Sequence, residues 1–258
     1  MIYPHIDPVA FSIGPLHVHW YGLMYLLSFI FGWLLMRYQS KHFGYNWSAD
    51  QTTDLVFYCA LGVVLGGRIG YVLFYNFPHY LHHPLEIFAL WDGGMSFHGG
   101  MIGVFLAMWV WAKRYKEPYF KVTDFVGAIV PIGLACGRVG NFINGELWGR
   151  VTDVPWAMIY TEVDQYPRHP SEIYEFLLEG VLLFIILFYY ASKKPPRMAV
   201  SGAFLIGYGS FRFICEFFRQ PDAQLGFIAF NWMTMGQLLC VPMIILGIIL
   251  LFLAYRNQ

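Results

Sequence analysis

Charged residues are scarce in this 258-residue chain, in which Asp, Glu, Lys and Arg together make up 12% of the sequence. That is about half the charged fraction of an ordinary soluble domain. Hydrophobic residues reach 58% and aromatic residues 20%. The shortage of charge excludes an ordinary soluble protein and predicts a membrane protein with several spans. Because the formal net charge is zero, the chain also lacks the global positive field that would suggest nucleic acid as a partner.

Closely spaced cysteines are missing too. Zinc and redox sites need such pairs, whereas the four cysteines lie singly in apolar segments: Cys59, Cys136, Cys215 and Cys240. The histidines at 79, 82 and 83 have no acidic residues near them at ligand spacing. The sequence therefore predicts no bound metal and no other cofactor, and it predicts that the cysteines are small buried hydrophobic residues.

Internal repeats are a third absence. Many secondary transporters show matching halves with paired, interrupted spans, and neither feature is visible here. This disfavours a transporter, although a transporter or flippase for an anionic lipid or metabolite remains the alternative to an enzyme.

Apolar runs are abundant instead. A span needs about 20 mostly apolar residues, and seven runs approach that length: 17–37, 55–75, 97–112, 122–140, 172–191, 201–218 and 236–255. Most basic residues flank these runs on one side, which the positive-inside rule assigns to the cytoplasm. We therefore predict an all-α polytopic membrane protein with about seven transmembrane helices, its N-terminus outside and its C-terminus cytoplasmic. It forms one transmembrane domain, 1–258, with a small exterior head at 141–171.

Lysine does not occur on the predicted exterior side. All basic residues there are arginines: Arg68, Arg138, Arg150, Arg168, Arg212 and Arg219. Translocated segments avoid lysine and arginine alike, so leftover arginines mean little by themselves. A planar guanidinium, however, stays charged and binds phosphate or carboxylate with two parallel hydrogen bonds. The pattern thus favours an exterior anion site.

Two stretches concentrate these polar groups at the predicted membrane boundary, where such residues are costly unless they are paired or functional. In the first, residues at intervals of three share a face if the helix continues: Arg138, Asn141 and Asn144. Glu146 then falls off that face, and Gly145 or Gly149 turns the chain. In the second, one face of the sixth span carries Tyr208, Arg212, Glu216 and Arg219. This second set is either an anion site in which Glu216 orients an arginine or a structural ion pair that locks helices together.

A glycine-rich loop, WDGGMSFHGG (91–100), places His98 at the start of the third span. His98 is either a proton-transfer residue or a simple cap or interface residue. Arg68 lies within a small-xxx-small pattern of glycines, and such a pattern permits close helix packing. It is either a structural tie to a carbonyl or acid, or a contributor to the anion site.

Six motifs together resemble the prolipoprotein diacylglyceryl transferase family, in order and over nearly the whole chain. They are HWYGLMY, LGGRIGYVLFYN, WDGGMSFHGG, GRVGNFINGELWG, RHPSEIYE and GYGSFRFICEFFRQPD. The resemblance implies a bacterial plasma (inner) membrane enzyme with its site on the outer side. It also implies that the enzyme moves the diacylglyceryl group of phosphatidylglycerol to the lipobox cysteine in the signal peptide of a preprolipoprotein. The bond formed is a thioether, and glycerol phosphate is released.

The resemblance also implies which residues act. We expect Arg138 and Arg212 on the phosphate and His98 as the candidate base. By resemblance, the expected substrate-binding residues are Tyr21, Asn141, Glu146, Gly149, Tyr208, Glu216 and Arg219. From their own positions in the sequence we add Arg68 and Asn144. The sequence does not choose between a neutral His98 and the field of the arginines as the means of removing the thiol proton.

Overall fold

A computed structural model describes residues 1–90, 93–221, 226–230 and 232–256. Trp91, Asp92 and Asp222 of the quoted motifs lie outside these ranges. The α-helices are α1 (Trp20–His42), α2 (Ala49–Phe74), α3 (Phe77–His82), α4 (Phe97–Tyr115), α5 (Tyr119–Gly127), α6 (Val130–Ile143), α7 (Ser171–Glu175), α8 (Leu183–Ser192), α9 (Ala199–Cys215) and α10 (Met235–Arg256). A 3₁₀ turn covers Pro84–Phe88. A π-helix, Phe176–Leu182, joins α7 to α8 in one run from 171 to 192.

Each of the seven predicted apolar runs falls on one of these helices. Four helices are long and apolar enough to cross a membrane: Trp20–His42, Ala49–Phe74, Ser171–Ser192 and Met235–Arg256. The pair α5 and α6, bent by 42°, adds a fifth if both belong to one span, and α9 is a shorter apolar helix. The described residues therefore bear out a mostly helical protein with several membrane-spanning candidates. The count of seven and the orientation stay predictions.

Two short antiparallel sheets, which the sequence analysis did not predict, interrupt the helices. Strand β1 (Val9–Ile13) pairs with β2 (Leu16–His19), and β3 (Met158–Ile159) pairs with β4 (Pro167–Arg168). The second pair lies within the predicted head, so that segment has a small hydrogen-bonded frame of its own.

Polar side chains set several helix ends, because the first N–H groups of a helix need partners from outside it. Ser48 begins α2 in a capping box with Gln51. At α4, the Ser96 Oγ accepts from the Gly99 N–H at 3.2 Å. Asp124 supplies this function to α9 from a distant part of the chain, since its carboxylate accepts from the backbone N–H groups of Met198 (2.7 Å) and Ser201 (2.8 Å).

The chain divides into two compact units, one of which covers Met36–Thr123. Within it, α2 and α4 approach so closely that a Cβ at Gly66 would lie 2.3 Å from the Gly99 carbonyl oxygen. At Gly103 the corresponding distance to the Gly62 oxygen is 2.0 Å. The small-xxx-small pattern is thus confirmed as a site of close helix packing.

The second unit combines residues 1–35 with 124–258. Here the π-helix presses on α6, since a Cβ at Gly180 would lie 3.0 Å from Ala135 Cα. Helices α9 and α10 meet in the same manner, with a Cβ at Gly202 placed 2.8 Å from the Gly247 oxygen. The first of these contacts joins two of the three helical runs that carry the candidate site, α6 and the 171–192 run.

The cysteines follow their predicted environment with one exception. Cys59, Cys215 and Cys240 are buried, whereas Cys136 is half-buried, and all four are free thiols. The prediction of burial is wrong for Cys136, because this residue lies on a part of α6 that other residues do not fully cover.

Candidate active site

Three arginines and three glutamates meet inside the second unit, where α6, the 171–192 run and the end of α9 lie together. They are Arg138, Arg212, Arg219, Glu175, Glu179 and Glu216. We refer to these six side chains as the ion cluster. Its arginines come from the two stretches that the sequence analysis singled out, so the structure brings those stretches together.

Glu175 lies at the centre of the ion cluster and is completely buried. Its Oε1 is 2.5 Å from Arg212 Nη1 and 3.7 Å from Arg219 Nη1. Its Oε2 lies 2.8 Å from Arg138 Nε, at an angle that is unfavourable for a linear hydrogen bond. One carboxylate therefore spaces two arginines that are far apart in the sequence.

Glu216, the C-cap residue of α9, holds the other side of Arg212. It forms an ion pair with Arg212 Nη2 and accepts a hydrogen bond from Thr234 Oγ1 at 2.7 Å. A Cβ at Gly236 would lie 2.7 Å from both Cδ and Oε1 of Glu216. The carboxylate lies between a hydroxyl and a glycine, and it contacts Arg212, as both sequence interpretations of this pair require.

A row of amides extends the cluster along α6. Arg138 Nη1 donates to Asn141 Oδ1 at 3.3 Å, and Asn141 Nδ2 donates to Glu146 Oε2 at 3.3 Å. The helix ends at Ile143, and Gly145 turns the chain with a φ of +65°. That turn returns Glu146 to the row, since its Oε1 accepts from Asn144 Nδ2 at 3.0 Å. Glu146 does leave the helix face as predicted, yet it contacts both asparagines.

Two tyrosines of the predicted site belong to the same unit. Tyr21 packs on α6, because a Cβ at Gly140 would lie 2.7 Å from its ring. The glycine between Arg138 and Asn141 thus lets an aromatic ring approach the helix. Tyr208 stands one turn before Arg212 on α9 and stacks on Phe204 with ring centroids 5.8 Å apart.

The head closes over the end of α9 through backbone contacts. Gly149 donates to the His169 carbonyl at 2.8 Å and forms a bridge with Arg219. A Cβ at Gly149 would lie 2.5 Å from the Phe218 oxygen and 2.6 Å from the His169 oxygen. Only glycine fits between two backbone segments at such distances.

Two further arginines tie this head to its surroundings through carbonyl groups. Arg150 donates to the carbonyls of Arg219 (2.9 Å) and Glu216 (3.1 Å), and Arg168 donates to that of Gly149 (3.1 Å). Arg168 also pairs with Asp164. They belong to the frame around the ion cluster.

Burial and hydrogen bonds in the head shift the pKa values of several of its titratable groups. The hydrogen bond from Arg168 lowers the pKa of Asp164. Burial lowers the pKa of His169, which favours its neutral imidazole. Burial, and then the nearby Glu172 carboxylate, raise the pKa of Tyr160, whose hydroxyl donates to Glu172 at 3.1 Å.

His98 and Arg68 lie in the Met36–Thr123 unit. His98 is exposed and is the second residue of α4, so the cap of that helix is Ser96 and not His98. Arg68 is 4% exposed. It donates to the carbonyls of Ile87 (2.8 Å), Glu86 (2.5 Å) and Gly93 (2.5 Å). Its contacts are those of the structural tie that the sequence analysis left open.

Sequence reasoning missed three carboxylates, Glu172, Glu175 and Glu179, all completely buried on the 171–192 run. A signal was available, because ionisable residues within an apolar run are costly and point to a functional or paired site. Their spacing of three and four also places them on neighbouring turns of one helix. The structure adds an indication that the sequence does not show, since Glu179 lies on a π-helix and π-helical turns occur often at functional sites.

The geometry of the ion cluster suits the recognition of an anion. The arginine side chains are 13–16% exposed, whereas Glu175 and Glu179 are 0% exposed. A guanidinium has five N–H donors. Among the described residues, the hydrogen-bond-range contacts of Arg138 and Arg212 engage two N–H groups on each. Donors thus remain for a phosphate or carboxylate group.

Comparison with known proteins gives consistent matches along the chain. The sequence model of the family described as prolipoprotein diacylglyceryl transferase matches residues 8–253. A Legionella pneumophila (strain Lens) protein named phosphatidylglycerol–prolipoprotein diacylglyceryl transferase is 59% identical over 248 residues, covering 96% of this chain and 97% of the relative. A Coxiella burnetii (strain RSA 331) protein of the same name is 57% identical over 258 residues, covering 100% and 99%.

Proposed function

The chain belongs to the prolipoprotein diacylglyceryl transferase family, and we propose that it transfers the diacylglyceryl group of phosphatidylglycerol to the lipobox cysteine of a preprolipoprotein. The observation that carries this proposal is the 57–59% identity, over nearly the whole length of both chains, with relatives named for that activity. Because those relatives are named as transferases, the same observation weighs against the transporter or flippase alternative.

We assign the phosphate of the lipid to Arg138 and Arg212. Each guanidinium keeps donors beyond those that its contacts with Glu175, Glu216 and Asn141 engage. The fixed spacing that Glu175 imposes on the pair supports a common ligand, because a phosphate binds two guanidinium groups best when they are already positioned.

In the reaction, the thiolate sulfur attacks the sp³ carbon of the diacylglyceryl group that carries the phosphate ester oxygen. A C–S bond forms as the C–O bond breaks, and the bonding pair leaves with the oxygen as glycerol phosphate. Negative charge therefore grows on the phosphate. Two arginines that remain protonated at any working pH stabilise that charge without a metal ion.

The thiol proton needs an acceptor, since the thiolate and not the thiol is the nucleophile. We assign this role to His98, whose imidazole is exposed and belongs to the side-chain type that most often accepts a proton in catalysis. The remaining assigned residues bind and orient the substrates: Tyr21, Asn141, Asn144, Glu146, Gly149, Tyr208, Glu216 and Arg219. Arg68, which the sequence analysis also expected to bind substrate, is instead assigned as a structural tie, because it donates to backbone carbonyls.

We place the enzyme in the bacterial plasma membrane with its site facing the outer side. Ten of the 16 Lys and Arg residues flank the apolar runs on the predicted cytoplasmic side, which supports this orientation. About seven transmembrane spans would result if α4 and α9 cross the membrane in addition to the four long apolar helices and the α5–α6 pair.

The test is to incubate the purified protein with phosphatidylglycerol and a synthetic lipobox peptide and to measure the mass of the peptide by mass spectrometry. We expect a mass gain equal to one diacylglyceryl group, stable to hydroxylamine as a thioether is. A peptide with serine in place of the cysteine is the matched control and should gain nothing. No gain on the cysteine peptide, with folded protein and both substrates present, would reject the proposal.

A further inference from the structure

Two helices of the chain begin with the same hydrogen-bonded motif, a capping box. At the start of α2, the Ser48 Oγ accepts from the Gln51 N–H at 3.1 Å, and the Gln51 Oε1 accepts from the Ser48 N–H at 2.8 Å. At the start of α10, Thr234 and Gln237 repeat these two bonds at 3.2 Å and 3.0 Å. Each box satisfies two N–H groups that a helix start leaves without an internal partner.

The two boxes differ in their surroundings and in the use of the cap hydroxyl. Ser48 is exposed, whereas Thr234 is 4% exposed. The Thr234 Oγ1 accepts from the Gln237 N–H and also donates to the Glu216 Oε2 at 2.7 Å. In the part of the chain that the structure describes, the Ser48 hydroxyl bonds only to Gln51. The cap of α10 therefore joins a helix start to a carboxylate of the ion cluster, and the cap of α2 does not.

Glu216 needs an outside donor if its carboxylate is to keep one direction. The interval of four along α9 brings Glu216 close to Arg212, but the last side-chain torsion of a glutamate has no sharp preference. The bond from Thr234 occupies Oε2, and the other oxygen, Oε1, forms the ion pair with Arg212 Nη2. A donor on one oxygen thus leaves the second oxygen facing the guanidinium.

A second contact fixes this cap against α9. The Gln237 Nε2 donates to the carbonyl of Phe213, the residue that follows Arg212, at 3.5 Å. The Oε1 of the same amide accepts from the Thr234 N–H. Gln237 is completely buried. The Thr234 hydroxyl is therefore carried by a helix start that is itself tied to the helix of Arg212, and a group on a rigid element positions its neighbours more precisely than one on a loop.

We propose that Thr234 is a positioning residue for the transfer reaction, whose hydroxyl holds Glu216 so that its carboxylate directs the Arg212 guanidinium at the phosphate of the lipid. This inference rests on the proposed placement of the phosphate. Thr234 acts through Glu216 and needs no contact with the lipid. Negative charge on the phosphate is greatest in the transition state, so a misdirected Arg212 should lower kcat more than it raises KM.

The test begins with Thr234→Val, which removes the hydroxyl and keeps the side-chain volume nearly constant. Measured per folded molecule in detergent, kcat should fall about five- to tenfold, while KM for phosphatidylglycerol should change by less than about twofold. Thr234→Ser keeps the hydroxyl and should stay within about twofold of the wild-type kcat. A wild-type kcat in Thr234→Val, or a Thr234→Ser as slow as Thr234→Val, would overturn the proposal.

Ser48→Ala is the matched control, because it removes the hydroxyl of the other capping box. Both Ser48→Ala and Thr234→Val should lower the melting temperature, since each loses a helix cap, but Ser48→Ala should leave kcat unchanged. An equal loss of kcat in Ser48→Ala would mean that a lost cap slows the reaction without any contact to Glu216, and the proposal would be wrong.

Thr234→Gly provides for the case in which Thr234→Val does not fold. Glycine is tolerated at a helix N-cap, and this variant also lacks the hydroxyl, so its kcat should fall in the same way. If neither variant folds, Thr234 is a structural residue and the proposal is wrong.

A structural readout separates this inference from the proposed function. If the wild type makes no thioether, the proposed function fails, and crystal structures of the wild type and Thr234→Val still show whether the hydroxyl directs Glu216. We expect the contact between Glu216 and Arg212 to be lost or displaced in Thr234→Val. An unchanged contact would overturn the positioning role.

Discussion

The arginines on the predicted exterior side divide into two groups with different partners. One group contacts carboxylates in the ion cluster and consists of Arg138, Arg212 and Arg219. The other lies outside the ion cluster, donates to backbone carbonyls and consists of Arg68, Arg150 and Arg168, the last of which also pairs with the Asp164 carboxylate of the head. Both groups follow the same compositional rule, since lysine is missing from both. The two groups therefore share their residue type and their predicted side of the membrane. What distinguishes them is the partner of each guanidinium, and the partner determines whether the arginine is structural or can bind a ligand.

The physical reason lies in what each partner leaves available. Carbonyl groups fix a guanidinium to a loop and use its donors for structure, as Arg68 shows with four carbonyl contacts. Buried carboxylates hold a guanidinium by charge and leave donors facing the accessible side. The carboxylate-held group is therefore the better candidate for substrate phosphate.

The largest expected effect comes from replacing a carboxylate-held arginine by lysine. Arg138→Lys or Arg212→Lys keeps the charge but loses the planar, two-donor geometry. Charge-assisted hydrogen bonds contribute roughly 1.5–3 kcal/mol each, so transfer should slow about ten- to a hundredfold or more. The measurement is turnover per folded molecule in detergent.

Arg168→Lys is the matched control on a carbonyl-held arginine. It should reduce the yield of folded protein more than the turnover of the molecules that fold. If Arg138→Lys or Arg212→Lys kept near wild-type specific activity, that arginine would have to be removed from the phosphate site and the division between the two groups would lose its functional meaning.

A smaller effect is expected when the carboxylate anchor is moved without a change in charge. In Gly236→Ala, the new Cβ would lie 2.7 Å from Glu216 Oε1, so the Glu216 side chain must shift away from its contact with Arg212. Turnover should fall by about tenfold, because Arg212 loses one of its two orienting partners. The check is single-turnover kinetics of folded protein.

Gly226→Ala offers a glycine control ten positions earlier in the chain. Among the described residues, no atom lies within 4 Å of the place that the added Cβ would take, and Gly226 is distant from Glu216 in sequence. Its φ of +57° makes some loss of stability expected. Equal losses of turnover per folded molecule in both glycine variants would show that Glu216 does not act through its position.

Much of this arrangement could be predicted from the sequence. The apolar runs indicated the helices, because a stretch of about 20 apolar residues is the length that crosses a bilayer as a helix. The interval of four between Arg212 and Glu216 indicated their ion pair, since such residues are neighbours on a helix. Close packing of α2 on α4 followed from Gly62, Gly66 and Gly70 for the same local reason.

Contacts between distant segments could not be predicted in this way. Glu175 holds Arg138 and Arg212, each 37 positions away in the sequence, and no local period encodes that pairing. The return of Glu146 to the asparagines depends on one turn at Gly145, whose direction the sequence leaves open. The π-helix around Glu179 likewise reflects packing of Gly180 on Ala135 and not the preferences of its own residues.

A still smaller effect on activity is expected at Arg68, where stability should change instead. Arg68→Lys removes the fork that reaches the carbonyls of Ile87, Glu86 and Gly93, and lysine cannot reproduce all three contacts. The free energy of unfolding should fall by about 1–3 kcal/mol, measured by thermal or denaturant unfolding in detergent. A tenfold or greater loss of turnover in stable, folded Arg68→Lys would instead place this arginine in the anion site and break the division between the groups.

The smallest effect is expected at Asp164, which pairs with a carbonyl-held arginine of the head. The hydrogen bond from Arg168 lowers the pKa of Asp164 below its ordinary value of 3.8. A group with a lowered folded-state pKa contributes stability above its unfolded pKa and loses it as pH falls through the folded value. Asp164→Asn should therefore be slightly less stable than the wild type at pH 7, and the two melting temperatures should converge as pH falls below 3.8.

Because the Asp164 carboxylate contacts Arg168 and lies outside the ion cluster, turnover should not change. A clear loss of turnover in Asp164→Asn would mean that the position of Arg168 matters for the site, so that an arginine of the carbonyl-held group also acts on the chemistry.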